Sequence, residues 1–271
     1  RDEKDIRFGL EEGIDFIAAS FVRGREAVES IRAICDSAGK NVFIIAKIEN
    51  EEGIENIDEI IDSADGIMIA RGDLGVEIPA EEVPYLQKKI IEKCNFKMKP
   101  VITATQMLDS MMRNPRPTRA EAADVANAIY DGTDAVMLSG ESAAGKFPVE
   151  SVNMMAKIAE ETEQHLSGHL LERQRDIKSR VTISSTIAHM SVRAAEELEA
   201  SCIIAATMTG TTARYLSNFR PPCVIAGVTP NEWVMRRMQL YWGVYPVKIR
   251  EITTTDDLIL SAVEKTGRKS F

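Results

Sequence analysis

The run VFIIAKIEN spans residues 42–50 and joins an apolar segment directly to two charged residues, Lys47 and Glu49. Three of its first four residues are β-branched, which favours a strand buried on both faces, as in a parallel sheet. Because Lys47 and Glu49 are two positions apart, they project to the same side of such a strand. An unpaired buried charge is costly, so the pattern indicates a strand that delivers both charges to a site with counter-charges. A strand that runs out into solvent, with a weak surface ion pair, explains this run equally well.

Four other apolar segments end in polar residues in the same way, and stretches with helical spacing separate them. These segments are GIDFIAAS, which ends at Ser20, GIMIA, which precedes Arg71, Gly72 and Asp73, VITAT, which ends at Thr105, and DAVML, which precedes Ser139 and Glu141. Five βα units of roughly 25 to 35 residues result, a pattern typical of a parallel sheet with right-handed crossovers. In (β/α)₈ barrels the catalytic groups lie at the carboxyl ends of several strands. We therefore expect these polar residues to share one edge.

Local signals predict where several helices begin and end. Thr118 and Glu121 have the spacing of a capping box, which predicts a helix start at that point. Gly39 stands where a helix C-terminus favours glycine. The apolar residues of 57–64 predict one helix after the VFIIAKIEN strand.

A second α/β pattern follows the charged stretch HLLERQRDIKSR at residues 169–180, which we interpret as a domain boundary. Strands are predicted at 202–207, 223–228 and 243–249, and helices at 185–198, from 212, at 232–240 and at 255–265. The prediction is therefore a barrel-type domain at residues 1–168 and a smaller open-sheet α/β domain at 169–271.

Composition excludes several classes of function. The chain has 271 residues with 44% apolar and 28% charged residues and a net charge of −9, which argues against nucleic acid as the main partner. No apolar run has transmembrane length and no signal-peptide pattern is present, so we expect a cytoplasmic protein with no membrane association. The four cysteines form no CxxC pair and are expected to be reduced, buried thiols.

The polar residues predict a particular chemistry if Glu49 and Asp73 face each other on adjacent strands. Two neighbouring carboxylates repel, and a divalent cation such as Mg²⁺, which also uses water and substrate oxygens, relieves that repulsion. Lys47 would be a cation without a nearby acceptor, suited to a phosphoryl group or an enolate oxygen. Gly72 lets backbone amides approach a substrate carboxylate, and Thr105 adds a hydroxyl. This set fits a small, anionic, metal-chelating oxo-acid.

The same residues carry a resemblance that extends over essentially the whole chain. VFIIAKIENEEGI, IAASFVR, GIMIARGDLGVEIP, KPVITATQMLDSM, NPRPTRAEAADVANAIYDGTDAVMLSGESA and the TMTGTT loop resemble the pyruvate kinase family in order and spacing. The resemblance implies the five C-terminal βα units of a (β/α)₈ barrel, followed by most of an effector domain. It implies transfer of the phosphoryl group of phosphoenolpyruvate to ADP, giving pyruvate and ATP.

By this resemblance the site residues acquire roles. Lys47 would stabilise the transferring phosphoryl group and the enolate, while Glu49 and Asp73 would bind Mg²⁺ or Mn²⁺. Gly72, Asp73 and Thr105, together with Lys47, would hold phosphoenolpyruvate. Thr105, Ser139 and Glu141 would belong to the network that protonates the enolate. The effector loop would consist of Thr207, Thr209, Gly210, Thr211 and Thr212, and would bind a phosphorylated allosteric effector. Simple capping of a helix by Thr211 or Thr212 explains that loop without the resemblance.

The resemblance also implies segments that this sequence does not contain. Three earlier barrel strands and a lid domain would precede residue 5, and further effector-domain strands would follow the predicted helix at 255–265. The earlier segments would carry the K⁺ ligands, an arginine for the substrate phosphate and most of the ADP site. We therefore expect the 271-residue chain to have little kinase activity alone and to self-associate, because its parallel sheet would have two open edges.

Two other functions remain open at this point. One is a metal-dependent lyase or aldolase with an enolate-forming barrel, which would need no nucleotide. The other is a non-catalytic fragment that binds an effector or supports assembly. The family forms homotetramers, so a homo-oligomer is expected.

Overall fold

The computed structural model describes residues 2–166, 182–250 and 255–267. The chain divides into two compact units, Arg1–Gly168 and His169–Phe271, and the charged stretch at 169–180 lies outside the described residues. Strands alternate with helices in both units, which confirms the α/β fold class. The strands are β1 Phe16–Ala19, β2 Phe43–Ile48, β3 Gly66–Ala70, β4 Val101–Ala104, β5 Ala135–Met137, β6 Cys202–Ala206, β7 Val224–Thr229 and β8 Val244–Lys248.

Helices precede, connect and follow these strands. In the first unit they are α1 Asp2–Glu11, α2 Arg25–Ser37, α3 Glu51–Glu55, α4 Ile57–Ser63, α5 Arg71–Glu77, α6 Val83–Phe96, α7 Arg119–Asp131, α8 Gly140–Ala143 and α9 Pro148–Glu163, with a 3₁₀ turn at Asp109–Met112. In the second unit they are α10 Ile183–Glu197, α11 Thr211–Asn218, α12 Glu232–Met238 and α13 Thr255–Gly267.

The first unit contains one parallel sheet in the order β1-β2-β3-β4-β5. Strands β3 and β4 are buried along their whole length, and β2 is buried except at Lys47. Their apolar side chains pack with those of the flanking helices in one core cluster. Because sequential strands are neighbours and parallel, every strand ends at the same edge of the sheet. Among the described residues, β1 and β5 each pair on one side only.

An acidic side chain before a strand completes the hydrogen bonding at the start of the preceding strand. Asp65 Oδ2 accepts from the backbone N–H of Ile44 at 2.9 Å, and Asp134 Oδ2 accepts from that of Val101 at 2.9 Å. A backbone donor at the beginning of an inner strand is thereby satisfied without another strand residue. Each of these βα units is therefore joined to the next one by a side chain as well as by the sheet.

Several local predictions are confirmed and others are corrected. Thr118 and Glu121 form the predicted capping box, with both reciprocal hydrogen bonds present. The helix predicted at 57–64 is present as α4. A separate short helix that was not predicted, α3, precedes it, and its N-cap Asn50 accepts from the backbone N–H of Gly53. Helix α5 begins at Arg71, immediately after β3. Helix α1, whose single fully buried residue is Leu10, was not predicted from the sequence.

The second unit contains the parallel sheet β6-β7-β8. Its apolar cluster combines residues of β7 and β8 with Ala262 of α13. Among the cysteines, Cys35 and Cys94 are buried, whereas Cys202 and Cys223 are half-buried, and all four are free thiols. Burial raises the pKa of the Cys94 thiol well above its usual value. Within the described segments, no helix combines the length and apolar character needed to cross a bilayer.

Candidate active site

The carboxyl edge of the first sheet brings the predicted site residues into one row. The register pairs Ala19 with Ala46, Ile48 with Ile69, Ala70 with Ala104, and Ala104 with Met137. The residues that follow these strand ends are therefore neighbours in space. They are Ser20, Glu49, Arg71, Thr105 and Leu138.

Lys47 is paired rather than free. Its Nζ lies 2.6 Å from Glu49 Oε1 and donates to Ser20 Oγ at 3.1 Å. The expectation of a cation without a nearby acceptor is therefore wrong for this state of the protein. The reason is that residues two apart on one strand share a side, so the nearest counter-charge for Lys47 is the carboxylate on its own strand.

Glu49 also shapes the turn after β1. Its side chain is 1% exposed, and its Oε2 accepts from the backbone N–H of Phe21 at 2.6 Å. Phe21 has a φ of 52°, a left-handed conformation that is uncommon outside glycine. The carboxylate thus joins the ends of β1 and β2 while it balances the charge of Lys47.

Gly72 and Thr105 are in direct contact across the ends of β3 and β4. The backbone N–H of Gly72 donates to Thr105 Oγ1 at 2.8 Å, and this hydroxyl donates to the carbonyl of Ala104 at 2.6 Å. A Cβ added at Gly72 would lie 3.4 Å from Thr105 Oγ1, which is an ordinary van der Waals distance. The Gly72 backbone and the Thr105 side chain are therefore in close contact without a steric clash. The Gly72 amide that was expected to face a substrate carboxylate is therefore engaged with Thr105.

The backbone at Thr105 is unusual. Thr105 has a φ of 68° and Gln106 a φ of 53°, so two successive residues with side chains are left-handed. Such a conformation is an outlier for a β-branched residue and costs on the order of 1–3 kcal/mol. The buried guanidinium of Arg71 donates to both carbonyl oxygens, at 2.8 Å to that of Thr105 and 3.4 Å to that of Gln106.

Asp73 is exposed in the first turn of α5. Nothing in the described chain donates a hydrogen bond to it or pairs with its charge, so its carboxylate is available to a ligand. Glu49 and Asp73 offer oxygen donors, which Mg²⁺ and Mn²⁺ prefer. Over residues 2–166, 182–250 and 255–267, no cluster of three or more His, Cys, Asp or Glu side chains could hold a metal. Asp73 was expected on a strand adjacent to that of Glu49, but it lies in the first turn of α5. Two carboxylates with water and substrate oxygens are a donor set of the type that Mg²⁺ accepts.

Ser139 and Glu141 differ in what they can do. Glu141 is 2% exposed, and its two oxygens accept from the backbone N–H groups of Leu108 at 3.0 Å and Ser139 at 2.8 Å. It therefore fastens the segment after β4 to the segment after β5. Ser139 is exposed, so its hydroxyl is the more accessible of the two predicted groups.

Glu121 fixes the rest of the segment after β4. Its Oε1 accepts from the backbone N–H of Ser110 at 2.7 Å, and its Oε2 accepts from the hydroxyls of Ser110 and Thr118 and from the backbone N–H of Thr118. Burial alone would raise the pKa of Glu121, but these hydrogen bonds outweigh it and lower the pKa. The ionised carboxylate is thus the form that holds the segment leading from Thr105 to α7.

The threonine loop of the second unit forms a compact turn before α11. Gly210 is left-handed with a φ of 86°, and its backbone N–H donates to Thr207 Oγ1 at 2.9 Å. The hydroxyls of Thr209 and Thr211 are 2.9 Å apart. Thr211 and Thr212 line a cavity of about 320 Å³ whose other walls come from α10, β6 and α11.

Comparison with known proteins matches both parts of the chain. Residues 1–152 match the family described as "Pyruvate kinase, barrel domain", and residues 185–271 match "Pyruvate kinase, alpha/beta domain". A pyruvate kinase of Clostridium acetobutylicum is 53% identical over 98% of this chain and 56% of its own length. One of Geobacillus stearothermophilus is 54% identical over 100% of this chain and 46% of its own length.

Parallel βα units in the sequential order β1-β2-β3-β4-β5, with chemistry-bearing residues at the carboxyl edge, are the arrangement found in α/β proteins of the (β/α)-barrel class. The family matches make the assignment specific: the chain belongs to the pyruvate kinase family. It spans about half the length of the curated relatives that it matches.

Proposed function

We propose that this chain supplies the phosphoenolpyruvate and metal sites of a pyruvate kinase, which transfers the phosphoryl group of phosphoenolpyruvate to ADP and yields pyruvate and ATP. The observation that carries the proposal is the single row formed by Lys47, Glu49, Gly72 and Thr105 at the carboxyl edge of the first sheet. Relatives named pyruvate kinase that are about half identical to the chain support it.

The chain's own residues would act mainly through charge and position. Lys47 is half-buried, so its positive charge is less screened than in open solvent and suits negative charge on a transferring phosphoryl group and an enolate oxygen. Thr105 presents a hydroxyl held by Gly72, at a fixed place beside the substrate. Ser139 and Glu141 stay proposed members of the proton network, with Ser139 nearer solvent and Glu141 holding it in place.

Glu49 and Asp73 are the proposed ligands of Mg²⁺ or Mn²⁺. When bound, the divalent ion would supply positive charge that neutralises the phosphate and enolate oxygens of the substrate. K⁺ is also proposed as a cofactor, since the resemblance implies it. ADP, ATP and a cytoplasmic location belong to the same proposal.

Metal-dependent binding of phosphoenolpyruvate to the 271-residue chain tests this function. Titration calorimetry with Mg²⁺ should detect binding that is lost in Asp73→Asn. The matched control is Asp62→Asn, which removes another surface carboxylate, one paired with Lys97. Loss of binding in both variants, or binding that does not depend on Mg²⁺, would contradict the proposal.

Two further assays separate the alternative functions. Release of pyruvate from aldol substrates without ADP would favour a lyase or aldolase. Binding of a phosphorylated ligand by the second unit, together with no metal-dependent phosphoenolpyruvate binding by the first, would favour a non-catalytic module.

We propose that the loop of Thr207, Thr209, Gly210, Thr211 and Thr212 binds the phosphate of an allosteric effector. Its hydroxyl pair and the first turn of α11 support this, because a helix start favours anions. Titration with inorganic phosphate, a sugar phosphate and a nucleoside monophosphate, monitored by calorimetry, tests it. Binding unchanged in a Thr209→Val, Thr211→Val double variant would refute it.

We also propose a homo-oligomer, by analogy with the homotetramers that the resemblance implies. Light scattering of the purified chain at several concentrations measures the assembly mass. A monomer at all concentrations would contradict this part of the proposal.

A further inference from the structure

Arg71 connects two helices to the strained turn after β4. Its Nη1 donates to Asp124 Oδ1 at 2.8 Å and to Gln87 Oε1 at 3.3 Å, while its Nη2 donates to the carbonyls of Thr105 and Gln106. Asp124 belongs to α7 and Gln87 to α6. The guanidinium therefore has one end anchored on helices and the other on the turn.

We propose that Arg71 is a positioning residue that holds Thr105 and Gln106 in their left-handed conformation, with Asp124 as its anchor. This inference rests on the proposed function for its consequence, since Thr105 is one of the proposed phosphoenolpyruvate ligands. The structural part of the inference, that Arg71 holds the backbone of Thr105 and Gln106 in place, does not depend on the proposed function.

The geometry explains why an arginine is needed. A guanidinium presents several N–H donors in a rigid plane, whereas an ammonium is a single donor atom on a flexible chain. The guanidinium reaches Asp124 and Gln87 with one nitrogen and two consecutive carbonyl oxygens with the other. Arg71 is 8% exposed, so water cannot easily replace those donors.

The turn after β4 needs stabilising contacts because its own residues disfavour the backbone conformation that they adopt. Neither Thr105 nor Gln106 is glycine, so a positive φ is energetically unfavourable for both residues. The surrounding structure must outweigh that cost. The two carbonyl hydrogen bonds from Arg71 act on this turn directly, together with the hydrogen bonds of the Thr105 hydroxyl to Gly72 and Ala104.

The first readout is the backbone conformation itself. In the full chain with ¹³C-labelled threonine and glutamine, the Cα and Cβ chemical shifts of Thr105 and Gln106 report whether they stay left-handed. Arg71→Lys should move both away from left-handed values, and Asp124→Asn should move them in the same direction by less. Arg237→Lys is the control, since it alters another buried arginine, which stacks on Trp233 in the second unit, and it should leave these shifts unchanged.

The second readout is the affinity for phosphoenolpyruvate in the presence of Mg²⁺. Arg71→Lys should weaken it at least tenfold, and adding Gln106→Gly should restore most of the loss, because glycine accepts a positive φ without a Cβ penalty. A residue that served only the packing of α6 and α7 would not be rescued by a glycine in the turn.

These outcomes separate the two proposals. Left-handed shifts that persist in both Arg71→Lys and Asp124→Asn would overturn the positioning role. A wild-type chain that binds no phosphoenolpyruvate would overturn the proposed function, while the shifts would still decide the role of Arg71. If Arg71→Lys does not fold, the shifts of Asp124→Asn decide it.

Discussion

The ammonium nitrogen of Lys47 lies 2.6 Å from Glu49 Oε1, so the proposed catalytic cation neutralises the proposed metal ligand. A divalent ion that binds Glu49 must therefore compete with Lys47 for the carboxylate. Once the metal has taken over that charge, Lys47 would be available to an anionic substrate. The pair thus links the two binding events.

Replacing Lys47 by methionine should change the two affinities in opposite directions. Without the competing ammonium, Mn²⁺ should bind about 3- to 10-fold more tightly in the absence of substrate, which is roughly 1 kcal/mol. Phosphoenolpyruvate should bind at least about tenfold more weakly, because its counter-charge is lost. Calorimetry at pH 8 measures both.

The control for this prediction is Lys88→Met, which removes a lysine paired with the buried carboxylate of Asp131 on another part of the first unit. It should leave both affinities unchanged. Weaker binding of Mn²⁺ in Lys47→Met would mean that the pair stabilises the metal site instead of competing for it.

Glu141→Gln should destabilise the protein by about 1–3 kcal/mol, measured by urea unfolding. Both carboxylate oxygens accept backbone N–H groups, whereas an amide has one acceptor oxygen and would turn its NH₂ toward the other donor. Glu150→Gln, on the exposed first turn of α9, should have almost no effect. Unchanged stability with impaired chemistry would instead indicate a directly catalytic Glu141.

Glu121→Gln should lower stability in a pH-dependent way. The folded-state pKa of Glu121 is lowered from 4.5, so its ionised form contributes stability that is fully present above pH 4.5 and is lost as pH falls through the folded pKa. The difference in unfolding free energy between wild type and variant should be about 1–2 kcal/mol at pH 7. It should shrink below pH 4.5. A difference that stays constant into the acid range would contradict this explanation.

Gly210→Ala should lower the unfolding free energy by about 1 kcal/mol or slightly more, because alanine resists a φ of 86°. The added Cβ meets only ordinary contacts, with a nearest distance of 3.4 Å, so backbone strain is the main cost. Gly243→Ala is the matched control, since Gly243 has a φ of 65° and open space around it. Both variants should be less stable than the wild type, but only Gly210→Ala should weaken the binding of a sugar phosphate.

Much of the arrangement at the carboxyl edge of the first sheet could be predicted from the sequence, because strands and their ends have recognisable residue patterns. The β-branched run at 42–50 and the polar residues after each strand were sufficient to predict which residues gather at one edge. The capping box of Thr118 and Glu121 was also predicted from spacing alone. These features depend on neighbours in the chain, which a sequence displays directly.

The partnerships within the edge could not be predicted in the same way. Arg71 was expected beside Asp73 at the rim, but its guanidinium is buried under the Thr105 turn. Glu141 was expected in a proton network, and its oxygens are occupied by backbone donors from two loops. Both outcomes depend on backbone donors and acceptors that no residue pattern reveals, and on positive φ angles at residues that usually avoid them.

The acidic residues that reach back to the preceding strand also bear on biosynthesis. While the chain emerges from the ribosome, the backbone N–H of Ile44 has no side-chain acceptor until Asp65 has been made. The backbone N–H of Val101 likewise has none until Asp134 has been made. Strands β2 and β4 would then each gain one stabilising hydrogen bond only after the residue that precedes the next strand has been synthesised.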